Sequence, residues 1–326
     1  MSVGCEAIDS RKLFSCIVPT LNEKDTINDF IASLYSQDYR PMELLIVDGG
    51  STDGTQNFIS QQISTLNDGS FSISLFHEKD FGEISSPANA RNIGLNNTIG
   101  EYILFIDSDT VFIDNNTISK ALSEIGKSDF ICIPFKILID THLENEISKL
   151  LDAGLICIYR KEFIEDTRFI ATLGFGEDRE FNYRLFKSVT GPIDPLISSV
   201  TIGRHFPHTK AELRSQNQWY GRTILKYIKV IFHLDKKDFA YQFLYVLTNI
   251  LLAALLIAFF MLLFIYPFLS FFSLILIFIL VAVRSKFKVK SIYDLLFATW
   301  YYLYSAMYFL KGLISSFGLK QKIGRY

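Results

Sequence analysis

Two carboxylates separated by one residue, in the run Asp107-Ser108-Asp109, are the sharpest chemical feature of this chain. At the end of a strand such a pair can face a single divalent ion and still leave coordination positions for phosphate oxygens and water. Oxygen ligands suit a hard cation, Mg2+ or Mn2+, whereas zinc would call for cysteine or histidine nearby. A diphosphate is the natural partner of an ion held in this way. Two other apolar runs also end in polar residues: Pro19-Thr20-Leu21-Asn22-Glu23, and the glycine-rich stretch from Asp48 to Thr55 that contains Asp53. Each of the three has a plain explanation as a helix cap or a turn. Their coincidence at successive strand ends is harder to explain without a common ligand.

The elements that position these groups are legible in the hydrophobic pattern. Short apolar runs at 14–19, 44–47, 73–76, 102–106 and 130–135 alternate with helical patterns such as Ile27, Phe30, Ile31 and Leu34. Alternation of this kind implies a mainly parallel sheet with helices on both faces, an α/β fold. Nearly continuous apolar strands fit a sheet buried on two sides. Ligands of an open parallel sheet bind beyond the carboxyl ends of its strands, where the polar residues fall.

Taken together in this order, the motifs resemble those of the family 2 glycosyltransferases, over roughly residues 14–205. Cys16 through Glu23 is similar to that family's opening strand, Val47 through Thr55 to its nucleotide-binding turn, Ala90-Arg91-Asn92-Ile93-Gly94 to the start of its central helix, and Asp107-Ser108-Asp109 to its metal motif. The resemblance implies a GT-A fold, Rossmann-like, that binds a nucleotide-diphosphate sugar. It further implies that Pro19, Thr20 and Glu23 line the nucleoside pocket with Asp53 in the same turn, that Asp48 accepts from the base edge, and that Arg91 holds phosphate or ribose oxygens of the donor. Asp107 would reach the ribose or the metal, and Asp109 the metal, which is Mg2+ or Mn2+. Gly176 through Arg184 is similar to the acceptor-side motif, with Glu180 where Asp is more usual and Arg184 as its arginine. Transfer with inversion needs a carboxylate opposite the leaving diphosphate; Asp178 is the expected base and Glu177 the alternative. His205 is a candidate third metal ligand, and His208 is not. Gln218-Trp219-Tyr220-Gly221-Arg222 is not the Q-x-x-R-W motif of processive synthases, which weakens a polymerase reading.

Past residue 210 the chain changes character. No charged side chain lies between Asp238 and Arg284. As helix that stretch is about 65 Å long, twice a bilayer's hydrocarbon core, and the Tyr266-Pro267 step is its natural break. Two spans are expected, at about 242–265 and 268–283. Residues 204–237 hold eight Lys/Arg against two acids, and Arg284, Lys286, Lys288 and Lys290 follow, which places both ends of the hairpin and the catalytic domain on the cytoplasmic side of the cell membrane. Residues 211–240 suit a basic amphipathic helix at the headgroups. A further apolar, tyrosine-rich segment at 295–317 reads as an in-plane or re-entrant helix or a third span, before a basic tail. The division is therefore 1–210 catalytic, 211–240 juxtamembrane, 241–283 hairpin and 284–326 loop, helix and tail.

Composition is consistent with this. Hydrophobic residues make up 49% and charged residues 20% of 326, which excludes a disordered chain and points toward membrane contact. A net charge of -2 gives no field for nucleic acid, so none is expected as a partner. Cys5, Cys16, Cys132 and Cys157 show no disulfide-framework spacing, which favours a reducing compartment, and no apolar run marks an N-terminal signal peptide. The expected protein is a metal-dependent, inverting glycosyltransferase acting on a membrane-held, lipid-linked acceptor in glycan or polysaccharide assembly. A polyprenyl-phosphate monoglycosyltransferase is the alternative within the same chemistry. Outside it stand a nucleotidyltransferase, which would want a glycine-rich, arginine-containing loop after the first strand, and an inactive membrane scaffold.

Overall fold

The structure is a computed structural model, and it describes residues 12–138, 145, 155–164, 166–187, 195–205, 209–286 and 288–317. Cys5, His208 and the basic tail lie outside the described residues.

One eight-stranded sheet organises the first two thirds of the chain. It comprises β1 (Phe14–Thr20), β2 (Met42–Asp48), β3 (Phe71–His77), β4 (Tyr102–Phe105), β5 (Thr110–Phe112), β6 (Phe130–Ile137), β7 (Leu155–Arg160) and β8 (Ile202–Arg204), in the order β3-β2-β1-β4-β7-β6-β8-β5. The β3-β2-β1-β4 half is parallel throughout, with Thr20 beside Asp48 and Asp48 beside His77 in register, so their carboxyl ends form one edge. Beyond it β7 runs antiparallel to both β4 and β6, β8 is parallel to β6, and β5 is antiparallel to β8. The expected mainly parallel α/β sheet is present, and its antiparallel half is what the apolar runs alone did not disclose.

Both faces of the sheet are covered, because successive side chains on a strand point to opposite sides. Phe14, Cys16 and Val18 of β1 pack with α1 (Ile27–Tyr35), α2 (Thr55–Leu66) and α4 (Thr117–Ile125) through Phe30, Ile31, Leu34, Ile59 and Ile118. Ile17 faces the other way, into a cluster with Leu95 of α3 (Pro87–Asn97), Ile164 of the short α5 (Lys161–Ile164), and Phe181 and Leu185 of α6 (Glu177–Lys187). Helix α3 begins as the sequence rules require: Pro87 occupies its first turn and the Ser86 hydroxyl accepts from the Asn89 N–H at 2.9 Å.

The remainder is helical: α7 (Lys210–Leu234), α8 (Lys236–Ile265), α9 (Pro267–Arg284) and α10 (Ile292–Ser315). Asp235 caps α8 by accepting from the Lys237 and Asp238 N–H groups, and Tyr266-Pro267 separates α8 from α9 where the proline was expected to break the helix. Both helices are long and apolar enough to cross a membrane. Their outer faces are unusually apolar for exposed surface, with Phe264 88% and Phe268 74% accessible. Helix α10 packs lengthwise on α7 and buries Ala298, Tyr302, Ala306, Phe309 and Gly312. The backbones approach so closely there that a Cβ added at Gly221 would lie 1.9 Å from the Phe309 carbonyl, and one at Gly312 2.0 Å from that of Gln218.

A correction concerns the cysteines. Cys132 and Cys157, which give no pairing signal 25 residues apart, stand opposite each other on β6 and β7 and form a disulfide, which runs against the reducing compartment expected from their spacing, while Cys16 remains a buried thiol. The antiparallel register that joins them was not readable from spacing.

Candidate active site

Loops at the carboxyl ends of β1 and β2 are stapled together by the polar residues that sequence singled out. Asn22 adopts a left-handed backbone (φ 55°), accepts from the Thr52 N–H at 2.8 Å and donates its own N–H to Ser51 Oγ at 2.8 Å. Asp53 accepts from the Lys24 N–H at 3.1 Å and from the Thr55 N–H at 3.0 Å and hydroxyl at 2.6 Å. Burial alone would raise its pKa, but these hydrogen bonds outweigh burial and hold the carboxyl below its ordinary value. Glu23 accepts from the Thr26 hydroxyl at 2.9 Å.

Asp48 is fully buried, and its carboxylate accepts from Gly50 N–H at 2.9 Å, Ser51 N–H at 3.0 Å and Gln56 Nε2 at 2.6 Å. That side chain shapes its own turn, with donors from its own loop and α2 on its carboxylate. Pro19 and Thr20 do line a small cleft, with Val47, Gly49, Glu78 and Ala90. Thr20 Oγ1 is buried there with no hydrogen-bond partner among the described residues, an atom suited to a ligand's polar group.

The acidic residues are joined by two arginines into one continuous chain of ion pairs. Arg91, a buried residue of α3, donates from Nη1 to Glu177 at 2.6 Å and from Nη2 to Asp107 at 2.8 Å. Arg204, from the end of β8, donates from Nη2 to the other oxygen of Asp107 at 2.8 Å and from Nε to Asp109 at 3.1 Å. Burial would lower the pKa of each guanidinium, but the flanking carboxylates outweigh it and hold both charged. The sequence Glu177–Arg91–Asp107–Arg204–Asp109 thus spans from α6 to the sheet edge. Arg204 was counted in the sequence only as one of a basic group; its place beside His205 at the close of the last strand was the available signal.

Glu177 and Asp178 diverge at the start of α6. Glu177 is buried on Arg91, whereas Asp178 is exposed toward a cavity of about 930 Å3 that is also lined by Arg91, Asp107, Asn182 and Arg204. Gly176, in a left-handed conformation (φ 74°), sets the turn into this helix, and an added Cβ there would lie 2.6 Å from the Tyr227 ring of α7. Tyr227 in turn donates to Asp238 in the first turn of α8, which also accepts from Arg179 Nη1 at 3.4 Å. Helices α7 and α8 therefore brace the helix start that carries both acids. Arg184 stands apart: it pairs with Glu180, donates to the Arg168 carbonyl at 2.6 Å and is not among the residues that line the cavity. His205 donates its backbone N–H to the Asp109 carbonyl at 2.8 Å.

Among the described residues no group of three or more His, Cys, Asp or Glu is gathered as a metal cage. Asp107 and Asp109 still fit a hard cation, since Mg2+ is commonly held by one or two carboxylates together with substrate phosphates and water. Arg204 now bridges that same pair of carboxylates.

Residues 15–176 match the model of Glycosyl transferase family 2. An uncharacterized glycosyltransferase of Haemophilus influenzae is 38% identical over 111 residues, 34% of this chain and 41% of that protein. The poly(ribitol-phosphate) beta-N-acetylglucosaminyltransferase TarS of Staphylococcus aureus is 33% identical over 127 residues, 38% of this chain and 21% of that protein. The chain thus matches less than half the length of these relatives. The solved structure of the mannosyltransferase PcManGT from Pyrobaculum calidifontis, in complex with GDP-Man and Mn2+, is similar with a TM-score of 0.53 at 17% identity, covering 96% of this chain and 89% of that one. At that identity the likeness is one of fold, the GT-A fold. Residues 15–176 accordingly resemble a family 2 glycosyltransferase domain in sequence and carry the GT-A fold.

Proposed function

We propose that the chain transfers a sugar, with inversion, from a nucleotide-diphosphate sugar to an acceptor held at the membrane by a lipid, as a step in glycan or polysaccharide assembly. The observation that carries this reading is the linked chain Glu177–Arg91–Asp107–Arg204–Asp109, three of whose members, Arg91, Asp107 and Arg204, line the cavity into which Asp178 is exposed. It supports a donor diphosphate at the aspartate pair and an acceptor on the Asp178 side. The Pro19–Thr20 cleft on the β1–β2 edge would take the nucleoside.

Asp107 and Asp109 would hold a divalent cation, which when bound supplies positive charge to the departing diphosphate. Arg91 fixes the direction of Asp107 through a part-buried, charge-assisted hydrogen bond. Asp178 accepts the proton of the acceptor hydroxyl as its oxygen attacks the anomeric carbon and the bond to the diphosphate breaks. Glu177 is less suited to that task because the Arg91 guanidinium occupies it.

The membrane part rests on the exposed apolar faces of α8 and α9 and on the basic residues at both ends of the hairpin, which favour a two-span anchor with the catalytic domain in the cytoplasm. Confinement to one leaflet would raise the effective concentration of a lipid-borne acceptor. The test uses full-length protein in detergent with Mn2+, a panel of labelled nucleotide sugars and extracted lipid acceptors. Label entering the organic phase is expected, and Asp178→Asn should reduce it about 100-fold or more while nucleotide binding persists. Label entering only soluble sugars would defeat the acceptor assignment.

A further inference from the structure

The cavity beside Asp178 continues past the catalytic domain and ends among α8, α9 and α10, where Tyr245, Arg284 and Tyr302 form its far wall. Arg284 is the last residue of α9 and closes the long uncharged stretch of the hairpin. Its guanidinium carbon sits 4.8 Å from the ring centres of both Tyr245 and Tyr302. Its Nη1 donates at 3.1 Å to Oδ1 of Asn249, a fully buried amide that donates in turn to the Tyr245 carbonyl at 2.8 Å. Among the described residues no carboxylate pairs with Arg284. A half-buried cation fixed by two aromatic faces and one neutral acceptor, with its remaining N–H donors on a cavity, is built for an anion; a guanidinium matches phosphate oxygens with two parallel hydrogen bonds.

We propose that Arg284 binds the phosphate of the lipid that bears the acceptor, at the headgroup end of the α8–α9 hairpin. This rests on the reading of Asp178 as the acceptor side of the reaction. Position selects the ligand. The groups assigned to the donor, Thr20 and the Asp107–Asp109 pair, belong to the sheet and its loops, whereas Arg284 belongs to the hairpin and pairs with none of them. The wall around it is apolar and aromatic, supplied by Leu244, Leu280 and Val283 as well as the tyrosines, and suits the first carbons of a lipid chain. The space of about 930 Å3 is lined by Arg91, Asp107 and Arg204 as well as by Asp178 and Arg284, so the donor diphosphate and the acceptor's sugar and phosphate would share it.

The probe is a polyprenyl phosphate, added to the full-length chain in detergent micelles, with the corresponding polyprenyl alcohol, inorganic phosphate and phosphatidylglycerol as comparisons. The wild type should bind the polyprenyl phosphate at least tenfold more tightly than the alcohol. Arg284→Gln should abolish that difference, and Arg284→Lys, which keeps the charge and loses the fork, should restore part of it. UDP or GDP binding in each variant reports an intact catalytic domain. Equal affinity of wild type and Arg284→Gln for polyprenyl phosphate would overturn the proposal. So would displacement by inorganic phosphate at equal concentration, which marks a free-anion site, or by phosphatidylglycerol, which marks an unselective headgroup site. Sugar transfer separates this from the reaction itself. Transfer to a lipid acceptor with the same acceptor KM in Arg284→Gln sinks the site and spares the reaction; Arg284-dependent binding with no transfer to any lipid acceptor sinks the reaction and spares the site.

Discussion

Replacing Arg91 with methionine tests whether the ion chain is the mechanical centre of the site. The Arg91 side chain is 7% accessible, Glu177 9% and Asp107 22%, so solvent does little to screen these pairs. Loss of the guanidinium leaves the buried Glu177 without that counter-charge, and removal of one partner from a buried pair costs about 3–5 kcal/mol. Asp107 suffers less, because Arg204 still holds its other oxygen. For a domain of this size each kcal/mol lowers Tm by about 2–4 °C, so Arg91→Met should melt roughly 6–20 °C below wild type. The sharper expectation is one of sign. In wild type, Glu177→Leu removes one of two partners of Arg91 and should destabilise. In the Arg91→Met background the same change removes a buried charge that has lost this arginine, and should raise Tm, because an apolar pair of similar volume often matches or exceeds a buried ion pair. The assay is thermal unfolding in detergent at one heating rate, since melting of such proteins depends on scan rate. A double variant that melts at or below Arg91→Met would refute the reasoning.

Three further outcomes are expected. Arg204→Gln removes the cation that bridges Asp107 and Asp109, so the two carboxylates should bind Mn2+ about tenfold more tightly in the absence of nucleotide, read by the loss of the free-ion electron paramagnetic resonance signal; unchanged or weaker binding would show that Arg204 and a cation do not compete there. Gly312→Leu drives a side chain into the Gln218 carbonyl at the α7–α10 crossing and should cost about 1–3 kcal/mol or more, seen as a lower Tm and a chain more readily cleaved by protease in detergent; a Tm within 1 °C of wild type, in order-of-magnitude terms, would mean the helices do not meet as described. Asp53 has a folded-state pKa below its ordinary value of about 3.9, so its contribution to stability is present above that value and is lost as pH falls through the lowered one. The Tm gap between wild type and Asp53→Asn should therefore be largest near neutral pH and close below about pH 4; a gap that widens with acid would reverse the assignment.

What sequence could show here was set by the range of the interactions concerned. The parallel half of the sheet, the capped start of α3 and the break at Tyr266-Pro267 are written locally, in apolar runs, a serine followed by proline, and a proline inside an uncharged stretch. The same local logic picked out Asp107, Asp109, Arg91, Glu177 and Asp178, and the fold gathers four of these into direct contact or a shared cavity wall. It is silent on what a residue meets across the fold. Asp48 sits in a nucleotide-binding pattern, and four hydrogen-bond donors of its own loop and helix reach its oxygens. Arg184 follows the acidic pair at motif spacing, but one helical turn brings it onto Glu180 before it can reach the cavity. Arg204 lies 97 residues from Asp107, and Cys132 meets Cys157 only through antiparallel pairing that no apolar run encodes. Arg284 is the extreme case. In the sequence it is a flanking charge that ends a hydrophobic stretch; packed between Tyr245 and Tyr302, from two other helices, it becomes a fixed cation on the wall that leads to Asp178. The catalytic domain and the apolar hairpin, separable as composition, are one device if the hairpin's own arginine holds the substrate that the domain modifies.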